Sequence, residues 1–179
     1  MPTLNLMVST PIKSSPSASL GGSLVALLGT VDDPQRYLEG CAHDLPAGQR
    51  LRGVVAFYPV TDFALRAYDA FFLPYLGVPP EQAPQVWAEA SPLHWIDGRE
   101  PPFLVIHGSW DLRVPSSESR NLVDALHAHQ IDAELVMILQ ADHSFIAESL
   151  ESRSSRAALD AMDAFFETLQ LRPERLWQP

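Results

Sequence analysis

Three apolar runs stand out along the chain, each short and bounded by proline, glycine or charge. Leu51–Tyr58 (LRGVVAFY) closes at Pro59; Phe103–His107 (FLVIH) is entered through Pro101-Pro102 and left through Gly108; Glu134–Leu139 is the third. Short runs rich in Val, Ile and Phe predict strands buried on both faces. Leu4, Leu6 and Val8 show a weaker alternation that predicts one further short strand, followed by a loop from Pro11 to Pro16. Between these runs the period changes. Leu20–Gly29 is apolar and small and predicts a buried helix opening on Gly21-Gly22 and ended by Asp32-Asp33-Pro34. Ser116–His129 places Leu122, Val123 and Leu126 near helical spacing, and Arg156–Leu169 gathers Leu159, Met162, Phe165, Phe166 and Leu169 on one face. Residues 63–92 hold aromatics broken by Pro74, Pro79-Pro80 and Pro84, which predicts short helical pieces of an insertion or lid. Residues 40–50 and the tail 172–179 read as loop.

Strands alternating with helices at this spacing predict an α/β fold, a mostly parallel sheet with crossover helices. The domain organisation expected is an atypical N-terminal segment (1–16), one α/β domain (17–171) and a tail (172–179).

The 179 residues are 46% hydrophobic and 19% charged, a globular rather than disordered composition. A formal net charge of −10 repels nucleic-acid backbones and anionic membranes, so neither is expected as a partner, and a small neutral substrate fits better. One cysteine, Cys41, allows no internal disulfide and suits a reducing compartment. No apolar run approaches the roughly 18 residues of a spanning helix, and the patch at Leu4–Val8 lacks the basic flank and length of a secretory signal, so the expected location is cytoplasmic.

In parallel sheets reactive groups collect at the carboxyl ends of the strands. That rule selects the turn before Leu20, the loop after His107 and the loop after Leu139, which present Ser19, Asp111 and His143. A serine hydroxyl is a poor nucleophile at neutral pH. It needs an imidazole to take its proton and a carboxylate to fix the imidazole's tautomer. The plainer readings are a helix-cap serine for Ser19 and a turn-stabilising role for Asp111. Asp62 is read as the cap of the helical piece that follows it, His107 as packing beside the acid loop, and His127 and His129 as solvated. No histidine pair has metal-ligand spacing with a carboxylate, so no metal is expected.

The segments around these residues resemble a known family. Ser17-Ala18-Ser19-Leu20-Gly21-Gly22 is similar to the G-x-S-x-G nucleophile elbow of the α/β-hydrolase superfamily. Pro102 through Asp111, followed by Val114-Pro115 and Ser119, resembles its acid loop, and Asp142-His143-Ser144-Phe145 its histidine loop. Ala56–Phe63 and Ala90-Ser91-Pro92-Leu93 resemble stretches of the hormone-sensitive-lipase-like and feruloyl-esterase-like branches. The resemblance implies an α/β-hydrolase fold and hydrolysis of short-chain carboxylic esters through an acyl-enzyme. It implies Ser19 as nucleophile, His143 as base, Asp111 as orienting acid and the Leu20 N–H as an oxyanion donor, with no cofactor. It also places the insertion near the acyl site, so that Phe71, Phe72 and Tyr75 would wall the substrate pocket.

The chain departs from that pattern in three places. Ser17 stands where the elbow has its first glycine. Pro16 cannot donate to a central ladder, so either Leu4–Ser9 is the delivering strand with a longer loop or the turn is remodelled. No His-Gly-Gly loop occurs, and the N-terminal half that carries it in the family is missing. The fold is therefore expected to be N-terminally truncated, with a homo-oligomer covering the exposed sheet edge. Two other functions stay open: an amide or peptide hydrolase of the same fold, and an inactive remnant serving as a binding or assembly module.

Overall fold

A computed structural model of the chain describes residues 7–8, 17–32, 51–66, 69 and 71–170. Leu4 and Leu6, the loops expected over 11–16 and 40–50, Cys41, and the tail expected over 172–179 lie outside the described residues.

Four parallel strands form the sheet: β1 (Met7–Val8), β2 (Val54–Phe57), β3 (Phe103–Gly108) and β4 (Ala133–Ile138), side by side in that order. Every residue of β2 and β3 is buried, as their unbroken apolar runs predict. Side chains alternate between two faces. Val54, Ala56, Phe103 and Val105 meet α1 (Ser17–Thr30) and α4 (Ser116–Ala128) through Val25, Ala26, Leu122, Val123 and Leu126. Val55, Phe57, Leu104 and Ile106 meet α6 (Arg153–Thr168) through Ala158, Met162, Phe165 and Phe166.

The expected elements are present with shifted ends. The strand expected over Leu51–Tyr58 runs only from Val54 to Phe57; Tyr58 still donates its N–H to the Ile106 carbonyl at 2.7 Å, but its φ of +35° ends the extended run there. Helix α6 starts at Arg153, ahead of its apolar stripe, because Ser152 caps it by accepting the Ser155 N–H at 3.1 Å. Helix α1 starts at Ser17 instead of Leu20. Ser17-Ala18-Ser19 holds only small residues and nothing that breaks a helix, so the first turn extends back through them. Gly22 sets how close α1 comes to the sheet: a Cβ there would lie 2.0 Å from the Phe57 carbonyl oxygen.

The region 63–92 does fold as short pieces: a 3-10 turn at Ala64–Arg66, α2 (Phe72–Leu76), α3 (Pro84–Glu89) and a 3-10 turn at Pro92–Trp95. They enclose a third core of Val60, Phe63, Phe72, Trp87 and Val114, against which Leu20 packs. Asp62 caps the first piece by accepting the Ala64 N–H at 2.9 Å. Short helix α5 (Phe145–Glu148) follows the β4 loop. Among the described residues no helix is long and apolar enough to cross a membrane.

Candidate active site

Three loops at the carboxyl ends of the strands and the first turn of α1 converge on one side of the sheet. The loop after β3 is pinned to the loop after β4 by Trp110 N–H to Ala141 C=O (2.9 Å) and by Gln140 N–H to Ser109 Oγ (2.9 Å). Gly108 permits this contact, since a Cβ there would sit 2.4 Å from the Ala141 carbonyl oxygen. The pinning brings the acid and histidine loops together: His143 Nδ1 lies 2.6 Å from Asp111 Oδ2. The other carboxylate oxygen, Oδ1, accepts the backbone N–H groups of Arg113 and Val114, both at 2.9 Å.

Burial alone would raise the Asp111 pKa. Hydrogen bonds from His107 and His143 and from the Val114 N–H outweigh it and hold the carboxyl well below the usual aspartate range. Asp111 is thus an anion at any pH near neutral, and its Oδ2 fixes the Nδ1–H tautomer of His143. Nε2 is then the nitrogen that can exchange a proton with a hydroxyl.

Ser19 is buried and lines the same cavity as His143, a space of about 460 Å³ bounded also by Arg66, Asp69, Phe71, Phe72, Leu112, Arg113, Val114 and Pro115. Its place is set from α1: Ser23 Oγ donates to the Ser19 carbonyl at 2.8 Å and accepts the Val60 N–H at 2.9 Å, tying the helix to the loop after β2. The expectation that Ser19 occupies a turn ahead of the helix is corrected here. Ser19 lies in the first helical turn, with Leu20 next to it in the same turn.

The three aromatic residues expected as pocket walls separate. Phe71 and Phe72 line the cavity. Tyr75 does not: its ring stacks on Phe63 at 6.3 Å, because α2 carries it one turn past Phe71 and Phe72.

Several residues join the site that the sequence left aside. The Tyr58 ring lies 4.8 Å from the His143 ring, and burial raises the pKa of its hydroxyl, with the Asp111 charge adding to the effect, so Tyr58 is a neutral wall. Tyr58 and Ser144 both adopt left-handed backbone angles, φ +35° and +65°. Such conformations collect at sites the surrounding structure over-determines. His107, expected as packing, is fully buried but hydrogen-bonded through both ring nitrogens: Nδ1 to Ser119 Oγ (2.7 Å) and Nε2 to the Val114 carbonyl (2.9 Å). Of the cavity residues, Arg113-Val114-Pro115 were open to sequence reading, since they follow Asp111 directly. Arg66 and Asp69 arrive from the stretch between β2 and β3 and carry no such signal. Arg66 is held by Asp69 (2.9 Å) and by the Arg113 carbonyl (2.9 Å). Among the described residues no group of three His, Cys, Asp or Glu side chains could hold a metal ion.

Comparison with known proteins adds an independent line. The BD-FAE family model matches residues 16–126. Esterase LipC of Mycobacterium tuberculosis (strain ATCC 25618 / H37Rv) is 37% identical over 120 residues, covering 62% of this chain and 28% of LipC. Among solved structures, a thermophilic esterase of the Planctomycetes species Thermogutta terrifontis, with propionate bound, superposes with a TM-score of 0.67 at 23% identity, over 87% of this chain and 55% of that one. An acetyl ester-xyloside bifunctional hydrolase from Caldicellulosiruptor lactoaceticus gives a TM-score of 0.67 at 24% identity, over 86% and 55%. The parallel sheet and its covering helices have the α/β-hydrolase fold. The chain spans little more than a quarter of LipC and about half of these structural neighbours.

Proposed function

Because this chain belongs to the BD-FAE family, we propose that it carries the acyl-transfer centre of a carboxylic ester hydrolase, with Ser19 as nucleophile, His143 as general base and Asp111 as the acid that orients it. The observation that carries this reading is the 2.6 Å contact between His143 Nδ1 and Asp111 Oδ2, on a cavity that Ser19 also lines. The names of the relatives point to the same class of substrate.

In the reaction, His143 Nε2 takes the Ser19 proton as Oγ attacks the ester carbonyl. The imidazolium is stabilised by Asp111 and returns its proton to the departing alcohol. Water then repeats the sequence on the acyl-enzyme and releases the acid. The Leu20 N–H, at the amino end of α1, is the oxyanion donor of this reading. The sequence holds no His-Gly-Gly loop to supply partners to it. One oxyanion donor is worth about 10²–10³ in rate in reactions of this kind. Phe71 and Phe72 bound the acyl side and favour short, apolar acyl groups.

The test is hydrolysis of 4-nitrophenyl acetate and butyrate by the wild-type chain, Ser19→Ala and His143→Ala, with fluorophosphonate labelling alongside. Both variants are expected to fall to the background rate, and labelling to vanish in Ser19→Ala. Equal turnover by all three folded proteins would reject the esterase reading. A folded wild type that neither labels nor turns over ester would leave the inactive remnant as the better account.

A further inference from the structure

Asp111 Oδ2 has a second imidazole beside it. His107 Nε2 lies 3.3 Å from the same carboxylate oxygen that binds His143, and both side chains of this second pair are completely buried. The neighbours of His107 determine its proton. Nε2 faces two acceptors, the Val114 carbonyl and the Asp111 carboxylate, so it must carry hydrogen. Nδ1 faces the hydroxyl of Ser119, which can donate to it at 2.7 Å. The Nε2–H tautomer therefore gives both ring nitrogens a partner in a fully buried position. The ring is fixed from three sides: by β3, of which His107 is the last residue but one; by the acid loop through Val114; and by the first turn of α4 through Ser119, itself fully buried. The neighbouring Glu118 anchors that turn. Its Oε2 accepts the Thr61 N–H (2.9 Å) and hydroxyl (2.8 Å) from the loop after β2.

We propose that His107 is a positioning residue for the catalytic pair: its Nε2–H shares Asp111 Oδ2 with His143, holds that oxygen in place and draws off part of its charge, so that His143 is a weaker base than Asp111 alone would make it. This rests on the esterase reading for its consequence, though not for its geometry. A carboxylate that gives all of its Oδ2 charge to one imidazole favours the imidazolium strongly and keeps the ring protonated to higher pH, where it cannot act as base. Dividing that charge between two N–H donors weakens the hold of the carboxylate on each of them. Around His143 stand the Tyr58 ring, 4.8 Å from its own and with its hydroxyl neutral and bonded to Ser144, Asp142 next to it in its own loop, and Arg66, Asp69 and Arg113 on the shared cavity.

The experiment is a side-chain ¹H–¹⁵N NMR titration of the full chain between about pH 4 and 9, on wild type, His107→Leu and His107→Gln. The wild type should show His107 as the Nε2–H tautomer. In His107→Leu the His143 midpoint should rise, because His143 is then left with the whole of the Oδ2 charge. In His107→Gln, whose amide keeps a donor, it should return toward the wild-type value. Damage to packing alone would lower the melting temperature of both variants without separating their midpoints. A wild-type His107 carrying its proton on Nδ1, or an unchanged His143 midpoint in folded His107→Leu, overturns the proposal. If His107→Leu does not fold, the wild-type tautomer decides. The esterase reading fails separately, by absence of Ser19-dependent turnover, whatever these titrations give.

Discussion

Asp111 accepts two backbone N–H groups on one oxygen and faces two imidazole nitrogens on the other. This is why its carboxyl ionises below the ordinary value of 3.8. The folded state therefore binds the Asp111 proton more weakly than the unfolded chain does. The resulting stabilisation is fully present above the unfolded value and fades as pH falls through the lower, folded one. Urea unfolding of wild type between pH 6 and pH 2 should show stability dropping below about pH 4, with a shallower drop in Asp111→Asn. The same variant should lose roughly 10³–10⁴-fold in ester turnover, because an amide at Oδ2 no longer fixes the productive tautomer. Asp111 and His143 were legible in the sequence because each follows a strand whose apolar run is unmistakable. The backbone of Ser19 was not: a G-x-S-x-G-like string suits a strained turn or a helical first turn, and the choice falls to the packing of α1. Nor was the role of His107 legible, since it depends on which acceptors the folded loops bring to Nε2.

Among the elements, α1 is placed by a glycine and a serine. In an isolated helix, replacing Gly22 by Ala would help by about 1 kcal/mol. In this fold the new Cβ would lie 2.0 Å from a backbone carbonyl oxygen of β2, which cannot move aside as a flexible side chain could. The packing term decides the sign, and Gly22→Ala is expected to destabilise by about 1–3 kcal/mol, read as a lower melting temperature. It should also weaken the site, because Ser19 moves with α1. Helix α6 offers a milder case: Ser152→Ala removes its N-cap and should cost about 0.5–2 kcal/mol with ester turnover unchanged. The apolar stripe of α6 was visible in the sequence and its first turn was not, since residues 153–155 precede the stripe. The stretch between β2 and β3 showed its broken character through its prolines, but the direction in which each aromatic ring points came from α2. That is why Phe71 and Phe72 reach the cavity and Tyr75 stacks on Phe63.

For the whole molecule, sheet order and charge bear on assembly. Among the described residues β1 and β4 are the outer strands of the sheet, and β1 pairs through only Met7 and Val8. Leu24 on α1 and Leu139 beyond β4 are exposed. Unpaired strand edges and exposed apolar side chains favour association, while a net charge of −10 opposes it between like copies. Self-association is therefore expected to strengthen with salt. Sedimentation velocity at 50 mM and at 500 mM NaCl should show a homo-oligomer whose share rises at the higher concentration, where charges are screened within a few ångströms. A monomer at both, over micromolar protein, would contradict a self-covering edge.

By itself the sequence determined the alternation of buried strands and amphipathic helices, the parallel sheet that follows from it, and the two loops bearing Asp111 and His143. These are one-dimensional properties: apolar runs, their periods, and the glycines and prolines that end them. Tertiary structure alone decided that Ser19 sits in a helical turn, that Arg66 and Asp69 join the cavity while Tyr75 leaves it, and that two imidazoles meet one carboxylate oxygen. Each of those depends on distances between segments far apart in the chain, which local pattern does not encode. Packing and hydrogen-bond satisfaction in the buried interior set those distances.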